Sequence, residues 1–178
     1  KVVVFSLPMP QHVFATIDAI LPELTPDHVL VDTSTVSPET TRAGAARVVI
    51  ANRTAGKAAA LAQEMAPHLP GTVVEGGGFG DLAPGDAFDI VINATAASLA
   101  GEAPAVPASA FAAGALAYDM VYGKGLTPFL KLAQAAGAAR VADGVGMLVE
   151  QAAEAFAWWR GVRPDTRAVL QRLTVPLA

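Results

Sequence analysis

Seven short runs rich in valine and isoleucine, separated by stretches of helical character, constrain this chain more than any other feature. They fall at residues 2–5, 29–32, 47–51, 72–74, 89–93, 116–120 and 140–142. Each run is continuous rather than alternating. A strand that is apolar on both faces belongs in a sheet covered on both sides, which requires parallel strands joined by helical crossovers. The expected fold class is therefore α/β: a three-layer, doubly wound, mostly parallel sheet. At 178 residues the chain has the size of one domain, 1–178.

The intervening segments carry helix punctuation. Ser37-Pro38-Glu39 and Thr127-Pro128 each offer an N-cap followed by proline at the first helical position. Gly137 is placed to end the second of these helices. The longest helix is expected over residues 147–160, with Leu148, Ala152, Ala155, Phe156 and Trp159 at helical spacing and facing the sheet. The run Gly76-Gly77-Gly78-Phe79-Gly80 leads into Asp81-Leu82-Ala83-Pro84-Gly85, which cannot start a long helix. It reads as a plain loop rather than a phosphate cradle, which needs spaced glycines between a strand and a helix start. Residues 100–113 read as a connection with a short helix at its end.

Composition narrows the function classes. Hydrophobic residues make up 53% of the chain, yet no uninterrupted apolar stretch reaches the roughly 20 residues of a membrane span, so no membrane partner is expected. The N-terminal apolar run is shorter than a secretory leader and reads as a strand. The sequence contains no cysteine, which excludes disulfides, thiolate metal sites and a cysteine nucleophile, and fits the cytoplasm. A net charge of −4 without a basic cluster argues against nucleic acid and for a small molecule.

The chemistry concentrates in a few places. The run at 47–51 ends in Asn52-Arg53-Thr54-Ala55-Gly56-Lys57. At the end of the second strand of a dinucleotide fold, an acid would bind a ribose 2′-hydroxyl, whereas cations suit a 2′-phosphate. Arg53 and Lys57 supply charge, Asn52 and Thr54 can donate hydrogen bonds, and no acid intervenes, so the segment favours NADP over NAD. Standing alone, Arg53 would equally be a solvated loop arginine.

It is followed by Asp89-Ile90-Val91-Ile92-Asn93-Ala94-Thr95, by Tyr118-Asp119-Met120-Val121-Tyr122-Gly123-Lys124-Gly125-Leu126-Thr127-Pro128-Phe129-Leu130, and by Asp143-Gly144-Val145-Gly146-Met147-Leu148-Val149-Glu150-Gln151-Ala152. In that order, these motifs resemble the C-terminal, NADP-binding domain of shikimate dehydrogenase, over about residues 47–178. The resemblance implies that Asn52, Arg53, Thr54 and Lys57 hold the adenosine 2′-phosphate, and that Asn93, Ala94 and Thr95 line the cofactor cleft. It further implies that Met120 and Gly144 flank the nicotinamide with Met147 close by, and that Tyr122 and Gln151 touch a hydroxy-acid substrate. Taken singly, Met120 and Met147 would serve as core fillers, Gln151 as a solvated helix residue and Tyr122 as a turn aromatic.

Two parts of that family's pattern are absent from these residues. The serine pair, lysine and aspartate of its substrate domain do not occur here, and Tyr122 and Gln151 are weak candidates for a base. The Gly-rich turn that precedes the segment matching 47–54 is replaced by Val29-Leu30-Val31-Asp32-Thr33-Ser34-Thr35-Val36-Ser37-Pro38-Glu39. With Leu7-Pro8, this block resembles part of the NAD-binding domain of 3-hydroxyisobutyrate dehydrogenase, over about residues 1–46. Two resemblances meeting near Ala45-Ala46-Arg47 imply a recombined or engineered chimera.

Side chains at 33–36 would crowd a pyrophosphate normally seated by glycine at a helix N-terminus. The expectation is weak or vestigial NADP binding and no robust catalysis. The competing expectations are an active NADP-dependent shikimate-type oxidoreductase completed by a partner, and a purely structural scaffold. An added strand without an obvious slot would favour a homodimer through a strand edge or strand exchange.

Overall fold

The structure is a computed structural model that describes Val4, Phe5, Val31, Asp32, residues 46–123 and residues 125–177. Its strands are β1 (Val4–Phe5), β2 (Val31–Asp32), β3 (Arg47–Ala51), β4 (Val73–Gly77), β5 (Phe88–Asn93), β6 (Phe111–Asp119) and β7 (Arg140–Asp143). The helices among the described residues are α1 (Ala55–Met65), α2 (Pro128–Ala135), α3 (Val145–Arg160) and α4 (Arg167–Leu173).

Every strand pair described is parallel. β1 pairs with β2, β3 with β4, and β5 with β6, which in turn pairs with β7. β1 approaches both β5 and β3, and β2 approaches β3. The N-terminal strand thus finds its partners within the chain, between the β3–β4 pair and the β5–β7 group. Parallel strands with flanking helices make this a Rossmann-like fold, as the continuous apolar runs require. The expected N-cap at Ser37, and the side chains of Leu7, Pro8 and residues 33–36, lie outside the described residues.

Burial alternates along β3, whereas residues 115–119 of β6 are buried on both faces. Val48 and Ile50 on β3 are buried against Ala58 and Ala62 of α1, together with Phe88 and Ala110. A second cluster joins Phe111, Ala115 and Ala117 of β6 to Phe129, Leu130 and Ala133 of α2. Phe111 and Phe129 meet with ring centroids 6.0 Å apart and tilted by 44°. As expected, Thr127 caps α2: its hydroxyl accepts from the Leu130 N–H at 3.3 Å, and Pro128 follows at the first helical position. Just beyond α2, Gly137 sits in the left-handed region at φ +94°.

Three expectations are corrected. β4 runs on through Gly76 and Gly77 instead of ending at Val74, and only Phe79–Asp81 form a 3₁₀ turn, whose Gly78 N–H donates to Asp81 Oδ2 at 2.7 Å. The cause is a close approach: a Cβ on Gly76 would lie 2.2 Å from the Ala58 carbonyl oxygen of α1. β6 starts at Phe111 rather than Leu116. Its register with β5 jumps between Phe88↔Phe111 and Ile90↔Leu116, an irregularity that Gly114, at φ +87°, allows the backbone to make.

The third correction concerns α3. It begins at Val145 and buries Val145, Val149 and Ala153, while Ala152 is exposed, Phe156 is 46% exposed and Trp159 is 73% exposed. This helix is apolar nearly all round, so two stripes satisfy the helical period. Packing chose the one with the smaller side chains.

Candidate functional site

The C-terminal ends of four strands, β3, β5, β6 and β7, turn out of the sheet in the same way. Asn52, Asn93, Asp119 and Asp143 each accept, on a side-chain oxygen, the backbone N–H two residues ahead: Thr54 at 2.9 Å, Thr95 at 3.0 Å, Val121 at 3.1 Å and Val145 at 3.2 Å. A short polar side chain that mimics a backbone turn breaks the strand while leaving no donor orphaned. Asn93, Asp119 and Asp143 stand in register across β5, β6 and β7. They form a polar row along the edge where ligands bind in open α/β sheets.

Between the ends of β3 and β5 opens a cleft of about 670 Å³, lined in part by Asn52, Arg53, Lys57, Asn93, Ala94, Thr95, Phe79 and Glu102. Six of the expected cofactor residues therefore share one cavity. Thr54 is not among the lining residues; it is the N-cap residue of α1, its carbonyl accepting from the Lys57 N–H at 3.0 Å. The Asn52 N–H donates to the Gly77 carbonyl at 3.0 Å, pinning the end of β3 to that of β4. Asn52, Arg53, Thr54 and Lys57 are all exposed.

The remaining expected residues gather at the ends of β6 and β7. Met120 donates its N–H to the Asn93 carbonyl at 3.0 Å, and Gly144 donates to the Val121 carbonyl at 3.4 Å. A Cβ on Gly144 would lie 2.2 Å from the Met120 carbonyl oxygen, so only glycine permits this contact. Met147 is half-buried, and its backbone N–H meets the Tyr118 hydroxyl. Burial pushes the Tyr118 hydroxyl well above its usual range, reinforced by the charges of Asp143 and Asp119, so it stays protonated. Tyr122 is 42% exposed, and Gln151 turns its amide back to the Leu148 carbonyl at 2.9 Å. The two groups are linked through Asn93, which touches both.

Residues 144–174 match the family model described as the shikimate 5′-dehydrogenase C-terminal domain. The chain is also 58% identical, over 132 residues, to the shikimate dehydrogenase (NADP(+)) of Dechloromonas aromatica, a match covering 74% of this chain and 47% of that protein. The chain is shikimate dehydrogenase-like. It spans about half the length of the curated relatives it matches.

Among solved structures, an Ael1 enzyme from Pseudomonas putida shares 46% identity at a TM-score of 0.71, covering 100% of this chain and 56% of that one. Shikimate 5-dehydrogenase from Thermus thermophilus, solved with NADP(H) and shikimate, shares 26% identity at a TM-score of 0.66. That match covers 93% of this chain and 63% of the other.

Sequence reasoning missed Asp119 and Ser98 as parts of the site. Both are buried, and Asp119 was legible only as a letter within a motif. A carboxylate in the middle of an apolar segment is the signal that marks it, since such a group persists in a core only with a full set of donors. Glu102 was missed as well, because nothing local in residues 100–113 places it at the cleft.

Proposed function

We propose that the chain is an NADP-binding domain of the shikimate dehydrogenase type. One observation carries this reading: Arg53 and Lys57 line the same cleft as Asn93, Ala94 and Thr95, with no carboxylate in the segment 52–57. Cations and amide donors at the end of β3 fit a dianionic 2′-phosphate, and residues 52–57 offer no carboxylate to accept from a ribose 2′-hydroxyl. In this reading Asn52, Arg53, Thr54 and Lys57 hold the phosphate, while Asn93 to Thr95 line the middle of the path. Met120, Gly144 and Met147 border the nicotinamide, and Tyr122 and Gln151 face the hydroxy-acid. When bound, NADP supplies or accepts the hydride. The protein residues bind and orient, and the absence of a side chain at Gly144 lets the backbones at Gly144 and Met120 approach closely.

The reading includes weak binding and no robust turnover by these residues alone. Thr33, Ser34, Thr35 and Val36 stand in sequence where a glycine turn would admit a pyrophosphate. Losing several charge-assisted hydrogen bonds of about 1.5–3 kcal/mol each lowers affinity by orders of magnitude, to roughly the millimolar range. Origin of residues 1–46 from a 3-hydroxyisobutyrate-dehydrogenase-like unit, joined to a shikimate-type unit as a chimera, accounts for that replacement. Proton transfer from a ring alcohol needs a base, and neither Tyr122, Gln151 nor the protonated Tyr118 provides one.

Titration with NADPH, followed by nicotinamide fluorescence, tests the reading. Binding in the millimolar range that is lost on Arg53→Ala, Lys57→Ala supports it. Saturation at low micromolar concentration sinks the argument from the glycine turn, and shikimate-dependent NADP reduction above the double-variant control favours an active oxidoreductase instead.

A further inference from the structure

The buried carboxylate at the end of β6 has a role beyond turning the chain, in an inference that rests on the dinucleotide reading above. Asp119 is 0% exposed. Its Oδ1 accepts from Asn93 Nδ2 at 3.1 Å and from the Val121 N–H at 3.1 Å. Its Oδ2 accepts from Ser98 Oγ at 2.6 Å and Thr127 Oγ1 at 2.5 Å. Four neutral donors fill the four acceptor positions of one carboxylate and replace a counter-ion. Those donors come from the end of β5 and the loop after it, the loop after β6 and the N-cap of α2.

The consequence lies in polarity. With both oxygens of Asp119 accepting, the Asn93 amide presents its Nδ2 to Asp119, and its Oδ1 then faces the other way. That Oδ1 accepts from the Thr95 N–H at 3.0 Å and from Thr95 Oγ1 at 2.7 Å. Thr95 Oγ1 in turn accepts from the Ala97 N–H at 3.2 Å. The Asn93 backbone carbonyl meanwhile holds the Met120 N–H. Asp119 thereby sets the orientation of the Asn93 amide and, through it, of Thr95, two residues of the cleft, while Met120, next in sequence to Asp119, is tied to the backbone carbonyl of the same Asn93. None of these bonds reaches Asn52, Arg53 or Lys57.

We propose that Asp119 is a positioning residue for the nicotinamide half of a bound dinucleotide, acting through the fixed orientation of the Asn93 amide. In Asp119→Asn the replacement has nearly the same shape, but an amide can both donate and accept. The Asn93 amide is then free to flip, and a flipped Nδ2 meets the Thr95 N–H donor to donor.

The test compares two ligands by ligand-observed NMR, which reads millimolar binding: NADPH, and adenosine 2′,5′-bisphosphate, which carries the 2′-phosphate but no nicotinamide. Asp119→Asn is expected to weaken NADPH about tenfold, the equivalent of one lost hydrogen bond, and to leave the bisphosphate unchanged. Amide hydrogen exchange at Thr95 and Val121 is expected to quicken, while that of Lys57 stays the same. Equal weakening of both ligands, as general loosening would cause, overturns the inference, and so does no change in either. Should Asp119→Asn not fold, Ser98→Ala removes one donor, and it must shift the ratio of the two affinities in the same direction or the inference fails. If the wild-type chain binds neither ligand, the dinucleotide reading falls first and takes this inference with it.

Discussion

Asn93 and Asp119 stand opposite one another in register on β5 and β6, and their side chains meet at 3.1 Å between Nδ2 and Oδ1. A hydrogen-bonded pair buried at the carboxyl ends of two parallel strands joins the half of the site built on β3 and β5 to the half built on β6 and β7. Losing one partner would leave a desolvated amide or carboxylate, which costs more than the bond itself contributes. The cleft is therefore tied into the sheet by hydrogen bonds at Asn93 and solvated where Arg53 and Lys57 are exposed.

The double variant Arg53→Ala, Lys57→Ala is expected to lose the preference between cofactors. Removing two charge-assisted contacts to a 2′-phosphate should weaken NADPH by about ten- to a hundredfold. NADH, which lacks that phosphate, should bind as before. Parallel titrations with the two nucleotides check this, and an equal loss for both would mean that these cations serve the fold or a different ligand.

Gly76→Ala should destabilise the protein. The new methyl would lie 2.2 Å from the Ala58 carbonyl oxygen, so α1 must move off β4, at a cost of about 1–3 kcal/mol. Gly80→Ala, four residues on, meets nothing within 4 Å and should change stability little. Thermal melts of the two variants side by side decide whether the strand assignment of Gly76 is right.

Arg47 donates to Asp86 at 2.6 Å and to Glu75 at 2.7 Å, and its guanidinium lies 5.7 Å from the centre of the Phe88 ring. The Arg47 hydrogen bond, helped by the Ala83 N–H, holds the Asp86 carboxyl below the usual carboxylate range. A depressed acid adds stability that is complete above its unfolded value of about 4 and is lost as pH falls through the lower folded value. Arg47 is 36% exposed and Asp86 18%, so solvent screening keeps the contribution to about 1 kcal/mol, or about 2–4 °C in Tm. Melts of wild type and Asp86→Asn should differ by that amount at pH 7 and converge well below pH 4. A gap that persists there would remove the ion pair as its cause.

Trp158 and Trp159 are the only tryptophans, and they are 86% and 73% exposed. The chain as a monomer should therefore emit as hydrated indole and be quenched fully by iodide. A blue-shifted, protected emission at low protein concentration would contradict the orientation of α3.

Much of this architecture was legible in the residues themselves. Continuous Val/Ile runs lead to parallel strands because a strand apolar on both faces has no other way to avoid water. Thr127-Pro128 and Gly137 marked a helix because capping and left-handed backbone are local properties of two or three residues. The grouping of Asn52, Arg53 and Lys57 was likewise readable, since all lie within six residues of one strand end.

What tertiary structure alone decided depends on contacts between distant segments. The face of α3 that is buried, Val149 rather than Phe156, was settled by which side chains the neighbouring elements could accept, because the helix is apolar on nearly every side. Gly76 became a strand residue only because α1 packs so closely over it. Asp119 became the hub of the site because Asn93, Ser98 and Thr127, up to 26 residues away, converge on it. Sequence spacing sets what a residue can reach along its own strand or helix, whereas the partners of a buried charge are chosen only when the sheet brings strand ends together.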